Sequence, residues 1–154
     1  MKYAGMIILI IASTGLGFFF SEKLKKKALI CGDLIKLCDV FLLDLDYRIT
    51  PAKELLNKAL ESGEIKHLDF VSCDNLMTEK SVESALSGSE NDEISRFLFS
   101  LGKSDVNSQK KLIFTFKEYI KNSMLAYREK YKKDSKIYVC FGLLFSVAFS
   151  LIWS

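Results

Sequence analysis

Two stretches of sequence decide the fold that we expect, and one stands near each end of the chain. Residues 3–20 read YAGMIILIIASTGLGFFF and residues 137–154 read IYVCFGLLFSVAFSLIWS; each is 18 residues long and neither contains a charged residue. A helix of that length spans ~27 Å, close to the ~30 Å hydrocarbon core of a bilayer. Across the two apolar runs, the weakly polar breaks are Gly, Ser, Thr and Cys, small residues that allow close helix packing in lipid. The sequence therefore predicts two transmembrane helices, residues 1–20 and 137–154.

The charges that flank the first stretch favour a retained anchor over a cleaved signal peptide. A secretory signal carries its positive charge before the apolar core and a cleavage site after it. Here only Lys2 precedes the run, whereas four lysines lie within residues 23–27, just beyond it. Positive charge in that place opposes translocation of the chain that follows. We expect the first span to stay in the protein, with the signal peptide as the less favoured alternative.

Charge is segregated along the chain. All 19 Asp and Glu and 21 of the 22 Lys and Arg lie in residues 21–136. Basic clusters at residues 23–27 and 128–136 border the two spans on their inner sides, so the positive-inside rule predicts a cytoplasmic central domain with both termini on the opposite side. Between the clusters, residues 29–127 hold 12 bases and 16 acids, a net charge of −4. This argues against a nucleic-acid partner, while the basic clusters predict contact with anionic membrane lipid.

The central domain, residues 21–136, is predicted to be an all-α bundle of about six helices. Apolar side chains recur at spacings of three and four from residue 30 to residue 45, which marks one face of a helix that continues the first span to about residue 49. These side chains are Ile30, Leu34, Leu37, Phe41 and Leu45. Stretches of β-branched residues with a period of two are lacking, so no sheet is expected.

Capping residues set the other helix boundaries. Thr50-Pro51 ends the first helix and starts a second over residues 52–61. Asp105 caps the last helix, which lacks Pro and Gly as far as residue 141 and is expected to continue through the second span, its apolar stripe packed on that of the first helix. The remaining short helices are expected at residues 65–76, 78–86 and 94–101, the last one after a loop at residues 87–89.

The cysteines and the single histidine give no catalytic or metal-binding pattern. Cys31 and Cys38 lie ~10.5 Å apart along one helix, too far for a disulfide, and no CxxC is present. We expect the cysteines to be small buried hydrophobic residues in a reducing compartment. His67 is the sole histidine, expected to be partly exposed on a helix, and no Gly-rich phosphate loop is present. The sequence predicts a protein that is not an enzyme, with no cofactor, no metal and no small-molecule substrate.

A group of acidic residues offers a candidate docking surface for a protein partner. The five acids surround the expected loop at residues 87–89, and solvated helix ends are the simpler alternative reading of the same charges. They are Glu79, Glu83, Glu90, Asp92 and Glu93.

Three motifs, in order and at characteristic spacing, carry a family resemblance. Asp44-x-x-Tyr47-x-x-Thr50-Pro51 is followed by Leu101-Gly102-x-x-Asp105-x-x-x-Gln109, and a charged helix leads through residues 136–138 into the closing apolar stretch. With Gly5, Thr14, Gly17 and Phe18 in the first stretch, the whole chain resembles the stage III sporulation protein AB family. It departs from the family pattern in Ala52, where leucine is usual, and in Asp44, where glutamate is usual.

The resemblance implies a function. It implies a component of the mother-cell apparatus that forms a conduit to the engulfed forespore, located in the outer forespore membrane. The family is also similar to the cytoplasmic domain of the inner-membrane platform proteins of type II secretion and type IV pilus systems. The implied partners are a companion secretion-type ATPase and the other membrane proteins of the sporulation channel.

The matched residues also have structural readings. Gly102 and Asp105 suit any turn between two helices, and Gln109, on an apolar stripe, should be hydrogen-bonded to the Asp105 turn or to the facing helix near Tyr47. A functional alternative is a coiled-coil membrane sensor or lipid-surface scaffold unrelated to transport, in which the basic clusters respond to anionic lipid.

Overall fold

The fold is all-α. The computed structural model of the chain describes the backbone of residues 2–47, 50–78 and 80–153, and the side chains of residues 22–47, 50–78, 80–134 and 136–137. Within these residues there is no strand, which confirms the predicted class. The helices are α1 (Lys2–Tyr47), α2 (Ala52–Glu61), α3 (Asp74–Met77), α4 (Gly88–Ser100) and α5 (Val106–Trp153).

The chain divides into two compact units. One, called the body below, comprises Lys27–Met124; the other comprises Met1–Lys26 and Leu125–Ser154. Among the described residues, no helix combines the length and apolarity needed to cross a membrane. Except for Ile137, the side chains of the two predicted spans lie outside the described residues. The predicted domain boundaries at residues 20 and 136 stay a prediction.

The core of the body is built on the apolar stripe predicted for α1. Of its five side chains four are fully buried and Leu45 is half-buried. Leu55, Leu56 and Ala59 of α2 are also buried. The ring of Phe97 in α4 stacks on Phe116 of α5 with centroids 3.8 Å apart.

Two ion pairs show that α1 and α5 run antiparallel within the body. Lys117 pairs with Asp39 and Lys110 pairs with Asp46. From the first pair to the second, the residue number rises by seven on α1 and falls by seven on α5. This register brings the buried stripe of α5, which includes Ile113, alongside that of α1.

Residues 62–87 differ from the prediction. The helices expected at residues 65–76 and 78–86 are wrong, since only Asp74–Met77 is helical there and residues 80–87 are not. Tertiary hydrogen bonds account for the difference: Asp33 accepts from the backbone N–H of Lys66 and His67, and Ser95 accepts from that of Val82. Apolar side chains of this segment are nevertheless buried, so the spacing identified core residues but not their conformation. The count of about six helices is not confirmed, since the described residues form five.

The start of α4 also differs. The predicted loop at residues 87–89 and helix start at residue 94 are wrong, because α4 begins at Gly88. Ser87 and Glu90 form a reciprocal capping box, in which each side chain accepts from the other residue's backbone N–H. This arrangement satisfies two N–H groups that a helix start otherwise leaves without partners.

Candidate functional site

The first motif forms the turn between α1 and α2. The carboxylate of Asp44 is buried near the end of α1 and accepts hydrogen bonds from the backbone N–H and the hydroxyl of Thr50, both at 2.6 Å. The carbonyl of Pro51 then accepts from the N–H of Glu54 and Leu55, which begins α2. Asp44, Thr50 and Pro51 therefore tie the start of α2 to the end of α1.

The second motif forms the turn between α4 and α5. Leu101 is buried at the end of α4, and Gly102 has φ of 77°, a left-handed conformation that glycine adopts without strain. The carboxylate of Asp105 accepts from the N–H of Ser108, and hydrogen bonds from the side chain and then the backbone of Ser108 hold the pKa of this carboxyl below the usual range. The buried amide of Gln109 donates to the carbonyl of Ser104 at 3.4 Å, within the Asp105 turn.

The structure brings the two turns together. A Cβ atom placed on Gly102 would stand 3.2 Å from the Cβ of Ala52, the residue directly after Thr50-Pro51. Lys110, next to Gln109, pairs with Asp46 of α1. The motif residues thus lie at one end of the body, which we call the motif end: Asp44, Tyr47, Thr50, Pro51, Leu101, Gly102, Asp105 and Gln109.

Tyr47 differs from the other motif residues. Its side chain is 81% exposed, the highest value among the large hydrophobic side chains of the described residues. One helical turn earlier on α1, Leu43 is 60% exposed. The motif end therefore presents an aromatic side chain to solvent on a turn whose other motif residues are held by the fold.

One of the five acids of the predicted docking surface is buried in the fold. Glu90 is buried and its carboxylate accepts from the backbone of Ser87, so its place on a docking surface is a wrong prediction. Glu93 is half-buried and pairs with Arg96, while Glu83 and Asp92 are exposed. Glu79 lies outside the described residues.

The acids also lie away from the motif end. Burial raises the pKa of Tyr119, and the nearby carboxylates of Glu90 and Glu93 raise it further. Tyr119 is ten residues beyond Gln109 on α5, or about 15 Å along the helix. Glu90 and Glu93 therefore do not share one site with the family motifs.

A buried carboxylate on α1 was not singled out from the sequence. Asp33 accepts from the ammonium group of Lys36 and from Nδ1 of His67, both at 2.8 Å, and from two backbone N–H groups at residues 66 and 67. Burial alone would raise the pKa of this carboxyl, but the four hydrogen bonds outweigh it and lower the pKa to about 2. Its place in the sequence indicates this role, because Asp33 is an acid on the buried face of α1, between Ile30 and Leu34.

Asp33 therefore binds the segment after α2 to α1. His67 is half-buried, as expected, but it lies in this irregular segment and not on a helix. Because the carboxylate is occupied by four donors, its evident role is to hold the segment in place. Among the described residues, no group of three His, Cys, Asp or Glu is arranged to hold a metal ion.

Cys31 and Cys38 are fully buried, as predicted for small hydrophobic residues. Burial raises the pKa of both thiols to about 12, so they are neutral and poorly reactive at ordinary pH. Cys73 is half-buried and donates to the side-chain carbonyl of Asn57 at 2.8 Å. The side chain of Cys140 lies outside the described residues.

Comparison with known proteins gives one match. A family model described as stage III sporulation protein AB matches residues 2–153, essentially the whole chain. No curated protein and no solved structure matches the chain.

Proposed function

Because the chain belongs to the stage III sporulation protein AB family, its role lies in sporulation, and we propose that it is a non-enzymatic membrane platform protein. In this proposal it is part of a secretion-like channel that connects the mother cell with the forespore. Its body docks a companion cytoplasmic ATPase, and its spans contact the other membrane proteins of the channel.

Tyr47 is the observation that carries the docking proposal. The side chains of Asp44, Thr50, Asp105 and Gln109 are engaged in hydrogen bonds within the fold, whereas that of Tyr47 is 81% exposed on the same end of the body. An exposed aromatic side chain at a helix end loses little conformational entropy on binding and is typical of interface hot spots. We place the ATPase contact at the motif end, with Tyr47 at its centre.

The membrane arrangement rests on the charge pattern of the sequence. Spans at residues 1–20 and 137–154, each bordered by a basic cluster on the inner side, put the body in the cytoplasm. Reporter fusions at residue 1, at the exposed Gly88 and at residue 154 test this arrangement. A cytoplasmic signal at Gly88 with external signals at both ends is expected, and an external signal at Gly88 contradicts it.

The absence of catalysis is proposed from the chemistry of the reactive groups. The thiols of Cys31 and Cys38 are buried and neutral, and Asp33 and His67 are bound to each other within a structural contact. A body of this kind would act on ATP turnover only through the ATPase that it binds.

Photo-crosslinking from two positions tests the docking proposal. A photoreactive phenylalanine analogue replaces Tyr47 in one full-length variant and Met77, which is 65% exposed outside the motifs, in the matched control. In sporulating cells, the first variant is expected to yield an adduct with the companion ATPase that the second does not. Adducts of the same identity and yield from both positions contradict docking at the motif end.

A lipid-surface role is the second candidate, and the exposure of the basic side chains favours it. Lys25 and Lys26 on α1, and Arg128, Lys130 and Lys132 on α5, are all exposed. Each such residue near an anionic membrane surface contributes roughly 1 kcal/mol. If neutralising both basic clusters abolishes localisation while the Tyr47 variant gives no ATPase adduct, the lipid-surface role replaces docking.

A further inference from the structure

Two exposed apolar side chains occupy equivalent places between the ion pairs of α1 and α5. Leu43 is 60% exposed and lies four residues after Asp39 and three before Asp46. Phe114 is 59% exposed and lies four residues after Lys110 and three before Lys117. Because residues three and four apart share a helix face, each side chain stands between two charges of its own helix. We call two rows of side chains together the α1/α5 face: Asp39, Leu43 and Asp46 on α1, and Lys110, Phe114 and Lys117 on α5.

The charges of this face are sorted by helix. Both acids, Asp39 and Asp46, stand on α1, and both bases, Lys110 and Lys117, stand on α5. Side-chain exposures run from 26% for Lys117 to 53% for Asp46, so all four groups can still interact with another molecule. The face therefore presents an acidic row beside a basic row, with an apolar side chain midway along each.

We propose that the α1/α5 face binds a second copy of this chain through a two-fold axis parallel to the two helices. Such an axis places α1 of each copy over α5 of the other. Since Asp39 is level with Lys117 and Asp46 with Lys110, each acid then meets a base of the other copy at the same level. The same two-fold rotation places Leu43 of each copy over Phe114 of the other, so both apolar side chains are removed from solvent.

The charge pattern selects this axis over the other way of stacking the two faces. A two-fold axis across the helices would place α1 on α1, with acid against acid, and α5 on α5, with base against base. A partner of uniform charge, such as an anionic membrane surface, would be repelled by one of the two rows. Only a partner that carries both rows in reverse order complements the face, and a second copy does so by symmetry.

The axis also suits the proposed function, on which this step rests. With the axis parallel to the helices, α1 of both copies runs in the same direction, as two chains inserted in one membrane with one orientation require. One helical turn beyond Asp39 and Lys117, Lys36 on α1 lies at nearly the same level as Lys121 on α5. At that level a base of one copy would meet a base of the other, so the complementary region ends there. A contact this short should form mainly where membrane anchoring raises the effective concentration.

Cross-linking between two tagged copies in membranes tests the proposal. One full-length copy carries Leu43→Cys and the other Phe114→Cys; both carry Cys73→Ser and Cys140→Ser, while the buried Cys31 and Cys38 are kept. A short bismaleimide is expected to join the two copies at least tenfold more efficiently than it joins two Met77→Cys copies, which carry an exposed thiol off this face. Equal yields overturn the proposal, as does a Leu43→Cys pair that cross-links to itself better than to Phe114→Cys.

Charge reversal supplies an independent variant. In that cysteine pair, Asp39→Lys is expected to lower the cross-linking yield, and adding Lys117→Asp to both copies restores opposite charges at that level and should recover it. A yield unchanged by Asp39→Lys, or not recovered by the double reversal, overturns the proposed axis. If the two copies do not cross-link but position 47 still yields the ATPase adduct, only the pairing of two copies is contradicted. If the copies cross-link but position 47 yields no ATPase adduct, only the docking proposal is contradicted.

Discussion

Gly102 lies against Ala52 so closely that a Cβ atom on the glycine would stand 3.2 Å from the Cβ of the alanine. The two residues are fifty positions apart in the sequence; Gly102 belongs to one family motif and Ala52 directly follows the other. Their contact holds the α4–α5 turn against the start of α2. The small side chain of Ala52 thus stands at a close contact.

Gly102→Ala is expected to destabilise the chain more than Gly63→Ala. Both glycines have positive φ, 77° and 73°, so each substitution costs about 1 kcal/mol or more in backbone strain. Only at Gly102 does the new methyl group also meet another atom, because nothing lies within 4 Å of a Cβ on Gly63. Thermal unfolding of the full chain in detergent measures both variants, and equal losses would show that the Ala52 contact is unimportant.

Asp44→Asn is expected to cost about 1–3 kcal/mol of stability, as removal of one partner of a buried hydrogen bond does. The asparagine side chain has one acceptor oxygen where Asp44 uses two, for the N–H and the hydroxyl of Thr50. Asp46→Asn is the matched control, since its pair with Lys110 is half-exposed and should contribute at most about 1 kcal/mol. Chemical denaturation of both variants measures the difference, and a larger loss for Asp46→Asn contradicts the structural role of Asp44.

Asp33 should make stability depend on pH between about 4 and 2. Its pKa is lowered from 3.8 to about 2 in the folded chain, so its contribution is present above pH 3.8 and is lost as the pH falls through the folded value. A shift of this size corresponds to roughly 2 kcal/mol. Asp33→Asn should be less stable than the unmodified chain above pH 4, and the gap should narrow toward pH 2. A gap that stays constant over this range would contradict the assignment.

Glu90→Ala should lower stability rather than weaken a protein contact. Its carboxylate accepts from the backbone N–H of Ser87 in the capping box, and loss of a helix cap costs about 1 kcal/mol. Glu83→Ala is the control, because Glu83 is exposed outside any helix and its removal should change the unfolding midpoint little. Similar midpoints for the two variants would contradict the structural assignment of Glu90.

The sequence predicted the long helices and much of the core, because their apolar side chains recur at helical spacing. The four fully buried side chains of the α1 stripe, from Ile30 to Phe41, illustrate this. The same spacing failed for residues 65–86, where Val71 and Val82 are buried without being helical. There, backbone N–H groups bind the side chains of Asp33 and Ser95, and such long-range contacts override local propensity.

The candidate site was predictable in part. Family motifs identified the turn residues, but neither spacing nor composition indicated that Gly102 would touch Ala52, because that contact depends on how α4 and α5 close on α2. Exposure of Tyr47 is consistent with its place two residues after Leu45, which is off the helical spacing of the apolar stripe, but tyrosine is intermediate in burial and the residue type alone does not predict it. Glu90 was misassigned because a helix-capping acid and a solvated acid look alike in sequence.

Binding between the full chain in lipid nanodiscs and the companion ATPase tests the central claim most directly. Titration should give an affinity that Tyr47→Ala weakens at least tenfold, since a hot-spot aromatic residue contributes about 2 kcal/mol or more. Met77→Ala, the exposed control outside the motifs, should bind with unchanged affinity and leave any effect on ATP turnover intact. No detectable binding and no change in ATP turnover with the unmodified chain, or equal affinities for the two variants, would contradict docking at the motif end.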